Sequence, residues 1–395
     1  MPKITTNSQG QFTIPEDFLL RRRLEPQAEY WLDERDGDLV LHFSLPDAKK
    51  LYIEVTTACN LNCHTCIRHS WVAPNTHMSM DIFQKILDSL PGLPQLERVV
   101  FTSFGEPLVH PRIFDMIAAI RAFGMDVTLG SNGILLSEKV ARKLVELEVD
   151  LLMVSIDGVK PEVYEDVRDT QLDNVLHNLK LFNQIKEEIG TRKPTLGIEF
   201  VALKKNKDDL LDITDLATEI NASQIIVTNV LPYSEEMNAE KLYGYQPVEP
   251  LKTSRWPAKS NSWGRWGVIE LPRMHFGSEQ RCRFVHNNSI VVGWDGEVAP
   301  CYALSHSYEY YAIDGIKKSV QRHTFGDIKK NSLAEIWMSE DFVRYRSEVR
   351  AFHFPSCADC DIRDTCDLRL TNEACWGMNP SCSDCLWAQD IVKCP

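Results

Sequence analysis

The 395-residue sequence lacks any run of about 18 apolar residues, so nothing in it reads as a membrane span. Residues 1–10 lack the apolar stretch of an export signal, and a cytoplasmic location is the expectation. Positive charge is scarce. Against 56 Asp+Glu stand 43 Lys+Arg, a net charge of -13, which disfavours duplex DNA and anionic membrane as main partners because both reward basic surfaces. Internal repeats and low-complexity tracts are also missing, and 44% hydrophobic with 25% charged residues exclude wholesale disorder. The length suits two or three domains.

Cysteine is what the sequence does have. Twelve cysteines without an export signal point to metal or redox chemistry, because cytosolic thiols stay reduced and structural disulfides are rare there. Their placement is uneven: Cys59, Cys63 and Cys66 lie together, none follows before Cys282, and the remaining nine run from there to Cys394. Two separate cysteine chemistries are implied.

Residues 1–47 read as a small β-rich domain with short strands at 4–6 and 12–14 and a helical turn carrying Arg21, Arg22 and Arg23. Two further strands, at 29–32 and 39–43, are joined by Asp36-Gly37, a strong hairpin signal between apolar runs. The stretch Gly10-Gln11-Phe12-Thr13-Ile14-Pro15 resembles the opening strand of AbrB/MazE-type antitoxins and regulators, in which two copies interlock as swapped hairpins and basic residues contact DNA. Here residues 1–47 hold five basic and nine acidic residues, so a homodimer or partner docking is expected in place of DNA binding.

From residue 51 apolar strands alternate with amphipathic helices. Strands are expected at 51–56, 98–102, 126–130, 150–155, 196–202 and 224–228, with helices at 81–90, 113–123, 137–147, 172–188 and 208–220. This alternation predicts an α/β fold, a partial (βα)6 barrel over 48–230, with its chemistry where loops leave the C-terminal ends of the strands. Residues 231–281 lose the periodicity and gather Tyr233, Tyr243, Tyr245, Trp256, Trp263 and Trp266, as a linker or substrate loop would.

The first strand runs into Thr57-Ala58-Cys59-Asn60-Leu61-Asn62-Cys63-His64-Thr65-Cys66. Three thiolates at this spacing can surround one corner of a cube, holding three irons of a [4Fe-4S] cluster and leaving the fourth open to a ligand. Zinc competes, but a structural zinc site takes four protein ligands and His64 is awkwardly placed inside the loop. Three buried structural cysteines are the plainest alternative. The spacing after the first strand resembles the radical S-adenosylmethionine (SAM) superfamily. That resemblance implies that the open iron chelates SAM and that the reduced cluster cleaves a C–S bond to release a 5′-deoxyadenosyl radical. It implies that Gly105 and Glu106, in Ser103-Phe104-Gly105-Glu106-Pro107, receive the methionyl ammonium, although Phe104 replaces a family glycine. Asn132, in Ser131-Asn132-Gly133, would lie near the cofactor, Ser155 and Asp157 would hydrogen-bond its ribose or carboxylate, and Arg168 would pair with its carboxylate. Singly these are weak signals, since Asn-Gly is usually a turn and a helical arginine is usually solvated. No general base stands out.

Beyond Cys282 come Gly296-x4-Cys301, Cys357-x2-Cys360-x5-Cys366, and then Cys375, Cys382, Cys385 and Cys394. This pattern resembles the SPASM extension of radical SAM enzymes, here 282–395, which binds two auxiliary [4Fe-4S] clusters; Gly326-Asp327-Ile328 and residues 333–337 match the link between its halves. The resemblance assigns Cys282, Cys301 and Cys375 to the first cluster, and Cys357, Cys360 and Cys366 to the second, closed by Cys394 or Cys385. The eight residues between Cys366 and Cys375 exceed the family gap, and Cys382-x2-Cys385 supplies one thiolate more than two clusters need, with Cys382 left without a role. A zinc ribbon of Cys357, Cys360, Cys382 and Cys385 is the alternative.

Cys66-Ile67-Arg68-His69-Ser70-Trp71, Cys375-Trp376-Gly377 and Cys382-Ser383-Asp384-Cys385-Leu386-Trp387, with the AbrB-like leader, look like maturases associated with tungsten-containing aldehyde ferredoxin oxidoreductases. The expected role is maturation of such an oxidoreductase or its cofactor, with a protein or peptide substrate and a low-potential donor such as ferredoxin or flavodoxin. Two alternatives stand beside it: a maturase forming a thioether or carbon–carbon crosslink in a ribosomally made peptide, and an iron–sulfur redox-sensing DNA-binding regulator. His69, Trp71 and Tyr233 are expected to pack or shield the cluster.

Overall fold

The computed structural model describes residues 5–22, 30–35, 37–43, 45–71, 73–254, 267–278, 281–312, 315–373, 375 and 379–394. Arg23, Asp36, Trp256, Trp263, Trp266, Trp376 and Gly377 lie outside these residues. The chain divides into two units, Met1–Leu45 and Pro46–Pro395.

In the small unit an isolated antiparallel bridge joins Thr6 and Phe12, followed by helix α1 (Glu16–Arg22) and strands β1 (Tyr30–Arg35) and β2 (Asp38–Phe43). The two strands form an antiparallel hairpin whose backbone register sets Leu32 opposite Leu41 and Asp33 opposite Val40. Gly37 turns the chain with φ at 86°, a conformation glycine adopts without steric cost. Leu20, Leu32 and Leu39 remain exposed.

The large unit begins with β3 (Lys50–Ile53), α2 (Met80–Ser89), β4 (Arg98–Phe101), α3 (Ile113–Ala122), β5 (Asp126–Ser131) and α4 (Glu138–Glu146). It continues with β6 (Leu151–Ser155), α5 (Pro161–Arg168), α6 (Leu172–Ile189), β7 (Thr195–Ala202), α7 (Ile213–Glu219) and β8 (Ala222–Asn229). Strands β3 to β8 pair in parallel and in chain order. Their apolar runs are buried on both faces, as a helix-covered parallel sheet requires: Ile53, Phe101, Leu129, Val154, Phe200 and Ile225 are all buried. Local signals bound the helices. Ser79 Oγ accepts the Ile82 N–H at 3.2 Å to start α2, and Gly190, with φ at 75°, ends α6. Helix α5 lies outside the expected set, because eight residues burying only Tyr164 and Val167 leave little periodicity to read.

After β8 come α8 (Glu235–Ala239), β9 (Val268–Glu270), α9 (Arg283–His286), β10 (Ser289–Val292) and β11 (Glu297–Ala299). Next are the antiparallel hairpin β12 (Tyr308–Tyr311) and β13 (Lys317–Val320), then β14 (Gly326–Asp327), α10 (Leu333–Trp337) and α11 (Glu340–Arg350). The main sheet continues past six strands. β9 joins β8 in parallel at one edge; β10 joins β3 in parallel at the other, with β11 and β14 following antiparallel. The expected linker and the cysteine-rich segment thus both donate strands to one ten-stranded sheet. The chain end returns to the barrel mouth, where the Asn229 N–H donates to Ile391 O at 3.2 Å and the Lys393 N–H to Thr228 Oγ1 at 2.8 Å. Among the described residues no helix is long and apolar enough to cross a membrane.

Candidate active site

The loop after β3 is pinned before it reaches its cysteines. Thr56 Oγ1 donates to Thr76 O at 2.8 Å and accepts the Ala58 N–H at 3.0 Å, while Thr57 Oγ1 donates to Pro74 O at 2.5 Å. The Glu106 N–H donates to Ala58 O at 2.9 Å, so the loop after β4 lies directly on it. Gly105 permits that approach, since a Cβ there would stand 2.2 Å from Thr56 O. His69 and Trp71 pack beside the loop: His69 Nε2 lies 3.1 Å from Cys63 O with its ring stacked on Tyr233, and Trp71 leans on His306 at 4.0 Å. His306 Nε2 in turn sits 2.9 Å from both Glu54 carboxylate oxygens, a buried pair joining the end of β3 to the segment after Cys301.

At the C-terminal ends of the strands lies a cavity of about 220 Å³. Cys59, Cys63 and Cys66 line it from the first loop, and Gly105, Glu106, Asn132, Ser155 and Arg168 line it from the ends of β4, β5, β6 and α5. Burial pushes the Cys59 thiol up and the Cys66 thiol up to about 11, so a bound metal would displace their protons. Glu106 is buried, and its carboxylate accepts from Ser131 Oγ–H at 3.0 Å, the Asn132 N–H at 2.6 Å and the Leu108 N–H at 3.1 Å. Burial still lifts its pKa to about 7. Asn132 Nδ2 donates to Asn60 Oδ1 at 2.9 Å and stands 3.8 Å from Cys59 Sγ.

Asp157 does not face the cavity. It is fully buried, takes the Val201 N–H on Oδ1 at 2.7 Å, and holds Arg168 Nε 2.5 Å from Oδ2. Arg168 Nη1 is thereby placed 3.9 Å from Cys63 Sγ. Two residues that sequence reasoning passed over also line the cavity, Glu199 and Trp387. Glu199 is a carboxylate in the otherwise apolar strand β7, and that break in the run was the available signal. It is half-buried at the cavity wall, has no hydrogen-bond or ion-pair partner among the described residues, and desolvation lifts its pKa to about 7. Cys394 lines this cavity as well, away from the other C-terminal cysteines; Trp387 Nε1–H donates to its Sγ at 3.1 Å, and burial pushes its thiol up to about 12.

A second cavity gathers Cys282, Cys301, Cys382 and Cys385, with Trp387 forming a wall common to both cavities. Tyr345 Oη lies 3.4 Å from Cys382 Sγ, and a buried Lys318–Asp384 ion pair lines the same space. This grouping differs from the expectation at Cys375, which is exposed, and at Cys382, which takes its place beside Cys282 and Cys301. Cys357, Cys360 and Cys366 follow one another on tight turns, with the Cys360 N–H donating to Cys357 O at 3.4 Å and the Cys366 N–H to Arg363 O at 3.3 Å. Cys385 and Cys394, either of which was expected to close that set, lie in the second and first cavities respectively.

Among the described residues no three His, Cys, Asp or Glu side chains gather to hold a single metal ion. Thiolates on a [4Fe-4S] cube each hold a different iron and stand farther apart. The first cavity suits a cluster with SAM on chemical grounds: three thiols from one loop, a guanidinium held toward them, and a glycine rim that a Cβ would block.

Comparison with known proteins agrees. Residues 53–217 match the Radical SAM superfamily, and residues 282–361 match the SPASM iron-sulfur cluster-binding domain. The chain is 36% identical over 354 residues to the tungsten-containing aldehyde ferredoxin oxidoreductase cofactor-modifying protein of Pyrococcus furiosus, covering 88% of this chain and 97% of that protein. It is 24% identical over 398 residues to the Fe-coproporphyrin III synthase of Methanosarcina barkeri, covering 89% of each. Streptococcus suis SuiB, solved with the precursor peptide SuiA, shares the fold with a TM-score of 0.54 at 15% identity, over 82% of this chain and 72% of that one. The chain therefore belongs to the radical SAM superfamily and carries a SPASM domain, with a [4Fe-4S] cluster, SAM and auxiliary iron–sulfur clusters as its cofactors.

Proposed function

We propose that the chain matures a tungsten-containing aldehyde ferredoxin oxidoreductase or its tungsten cofactor. The carrying observation is the 36% identity to the Pyrococcus furiosus cofactor-modifying protein along 88% of the chain. When bound, SAM and the reduced cluster supply a 5′-deoxyadenosyl radical. The chain's own residues hold and orient. Cys59, Cys63 and Cys66 ligate three irons, and Gly105 and Glu106 form the rim for the methionyl ammonium. Glu106 already accepts three protein hydrogen bonds, which leaves about one of its four lone-pair directions for that ammonium. Asn132 and Ser155 reach the cofactor, and Arg168 meets its carboxylate while Asp157 acts as the positioning residue behind it.

In the SPASM domain Cys282, Cys301, Cys382 and Cys385 hold the first auxiliary cluster. Cys357, Cys360 and Cys366 hold the second, with Cys375 as the fourth ligand. Eight thiolates then fill two clusters and Cys394 is left over. The substrate is a protein or its bound cofactor, and the electron donor is a low-potential carrier such as ferredoxin or flavodoxin. Residues 1–47 join two copies of the chain: a hairpin with one helix buries too little to stand easily alone, and Leu20, Leu32 and Leu39 offer apolar surface.

Anaerobic, dithionite-reduced protein should convert SAM to 5′-deoxyadenosine, and Cys63→Ala should not. Mass spectrometry of a tungsten oxidoreductase expressed with and without this protein should show a change in the oxidoreductase or its cofactor. An unchanged oxidoreductase beside an altered short peptide would reassign the substrate to the peptide class.

A further inference from the structure

The leftover thiol sits where the radical is made. Cys394 lines the cavity of Cys59, Cys63, Cys66 and Arg168, while Cys282, Cys301, Cys382 and Cys385 line the second cavity, which shares Trp387. It does not ride on a loose tail. The Lys393 N–H is held by Thr228 Oγ1 at 2.8 Å, Ile391 O accepts from Asn229 Nδ2 at 3.1 Å, and Lys393 Nζ pairs with Asp390 at 2.7 Å. Trp387 Nε1–H fixes the sulfur itself at 3.1 Å. A second feature of the cavity points to a reacting group there: the Glu199 carboxylate lines the same space and has no protein partner among the described residues.

We propose that Cys394 is a hydrogen-atom donor in the radical cavity, its Sγ–H capping a carbon radical formed there. The inference rests on the radical SAM reading of that cavity. Burial and the neighbouring Glu199 charge keep the sulfur in its S–H form, and only that form can donate a hydrogen atom. The step balances. A C–H bond forms as the S–H bond breaks, and the sulfur is left with one unpaired electron; it regains S–H by taking one electron from the low-potential reductant and one proton from solvent. Because a thiol S–H bond is weaker than an aliphatic C–H bond, transfer runs downhill. Trp387 is common to this cavity and that of Cys282, Cys301, Cys382 and Cys385, four thiols that would hold an auxiliary cluster able to supply the electron for re-reduction.

Two measurements on the cluster-loaded full chain test this. In the first, Cys394→Ser should keep the wild-type iron content, as a residue that ligates no cluster must. Loss of about four irons in Cys394→Ser would make it a cluster ligand and overturn the proposal. In the second, reduced protein is given SAM alone in D2O, where the thiol exchanges to S–D. The 5′-deoxyadenosine formed should carry one solvent deuterium, and that deuterated fraction should be lost in Cys394→Ser and Cys394→Ala, because an O–H bond is too strong to donate. An unchanged deuterated fraction in both variants overturns the proposal with the radical reading intact. No 5′-deoxyadenosine from the wild type would overturn both.

Discussion

Two glutamates, each with its pKa lifted to about 7 by burial, answer substitution differently because one is hydrogen-bonded and the other is not. For Glu199 the folded state binds its proton more tightly than the unfolded state, so the cost of its charge is absent below about pH 4.5 and grows until about pH 7. Glu199→Gln should remove that cost, raising the stability of the metal-free protein at pH 8 by up to about 3 kcal/mol, with little change at pH 4. Urea unfolding at the two pH values reads this; equal stability of variant and wild type at pH 8 would contradict it. Glu106 takes backbone N–H groups on both carboxylate oxygens, so an amide must turn its NH2 against a donor. Glu106→Gln is therefore expected to lose about 1–3 kcal/mol at pH 4 and less at pH 8, where the amide also removes the cost of the buried charge; a variant stabilised at pH 4 would count against the assigned hydrogen bonds. Neither behaviour was legible in the sequence. Glu106 was visible through its motif, whereas Glu199 showed only as a charge in an apolar strand.

Elements divide by how much of their environment is repeated along the chain. Strands β3 to β8 are buried on both faces and leave long apolar runs, so their positions were readable from residue types alone. β9, β10, β11 and β14 are short and stand outside the strand–helix alternation, and they exist because an edge of the sheet was available to pair with. The contact between the loops after β3 and β4 is the tightest joint of the site, and Gly105 governs it. Gly105→Ala would press its Cβ on Thr56 O, a backbone atom with no side chain to swing aside. The variant should lose at least about 1–3 kcal/mol in chemical denaturation. Full retention of the denaturation midpoint would show that the loops can part without cost.

At the scale of the molecule, the C-terminal half does more than append clusters to a barrel. It adds β10, β11 and β14 to the sheet, joins His306 to Glu54, and sends residues 386–394 back over β8. The position of Cys382 follows from that return path. If it ligates the first auxiliary cluster with Cys282, Cys301 and Cys385, Cys382→Ser should lower the iron content of the reconstituted protein by about four per chain. Iron analysis with EPR of the reduced protein checks this, and an unchanged content would return Cys382 to a packing role.

By itself the sequence determined the chemistry of the first cluster and the alternation of strands and helices. Both are local: three thiols on one short loop need only their spacing, and a buried strand needs only consecutive apolar residues. It also carried the number of thiols, twelve, but not which of them share a cavity. That grouping depends on where distant segments meet. The tertiary structure brought Cys382 and Cys385 to Cys282 and Cys301, and laid Cys394 in the other cavity beside Glu199, because pairing of the chain end with β8 fixes where each sulfur lands.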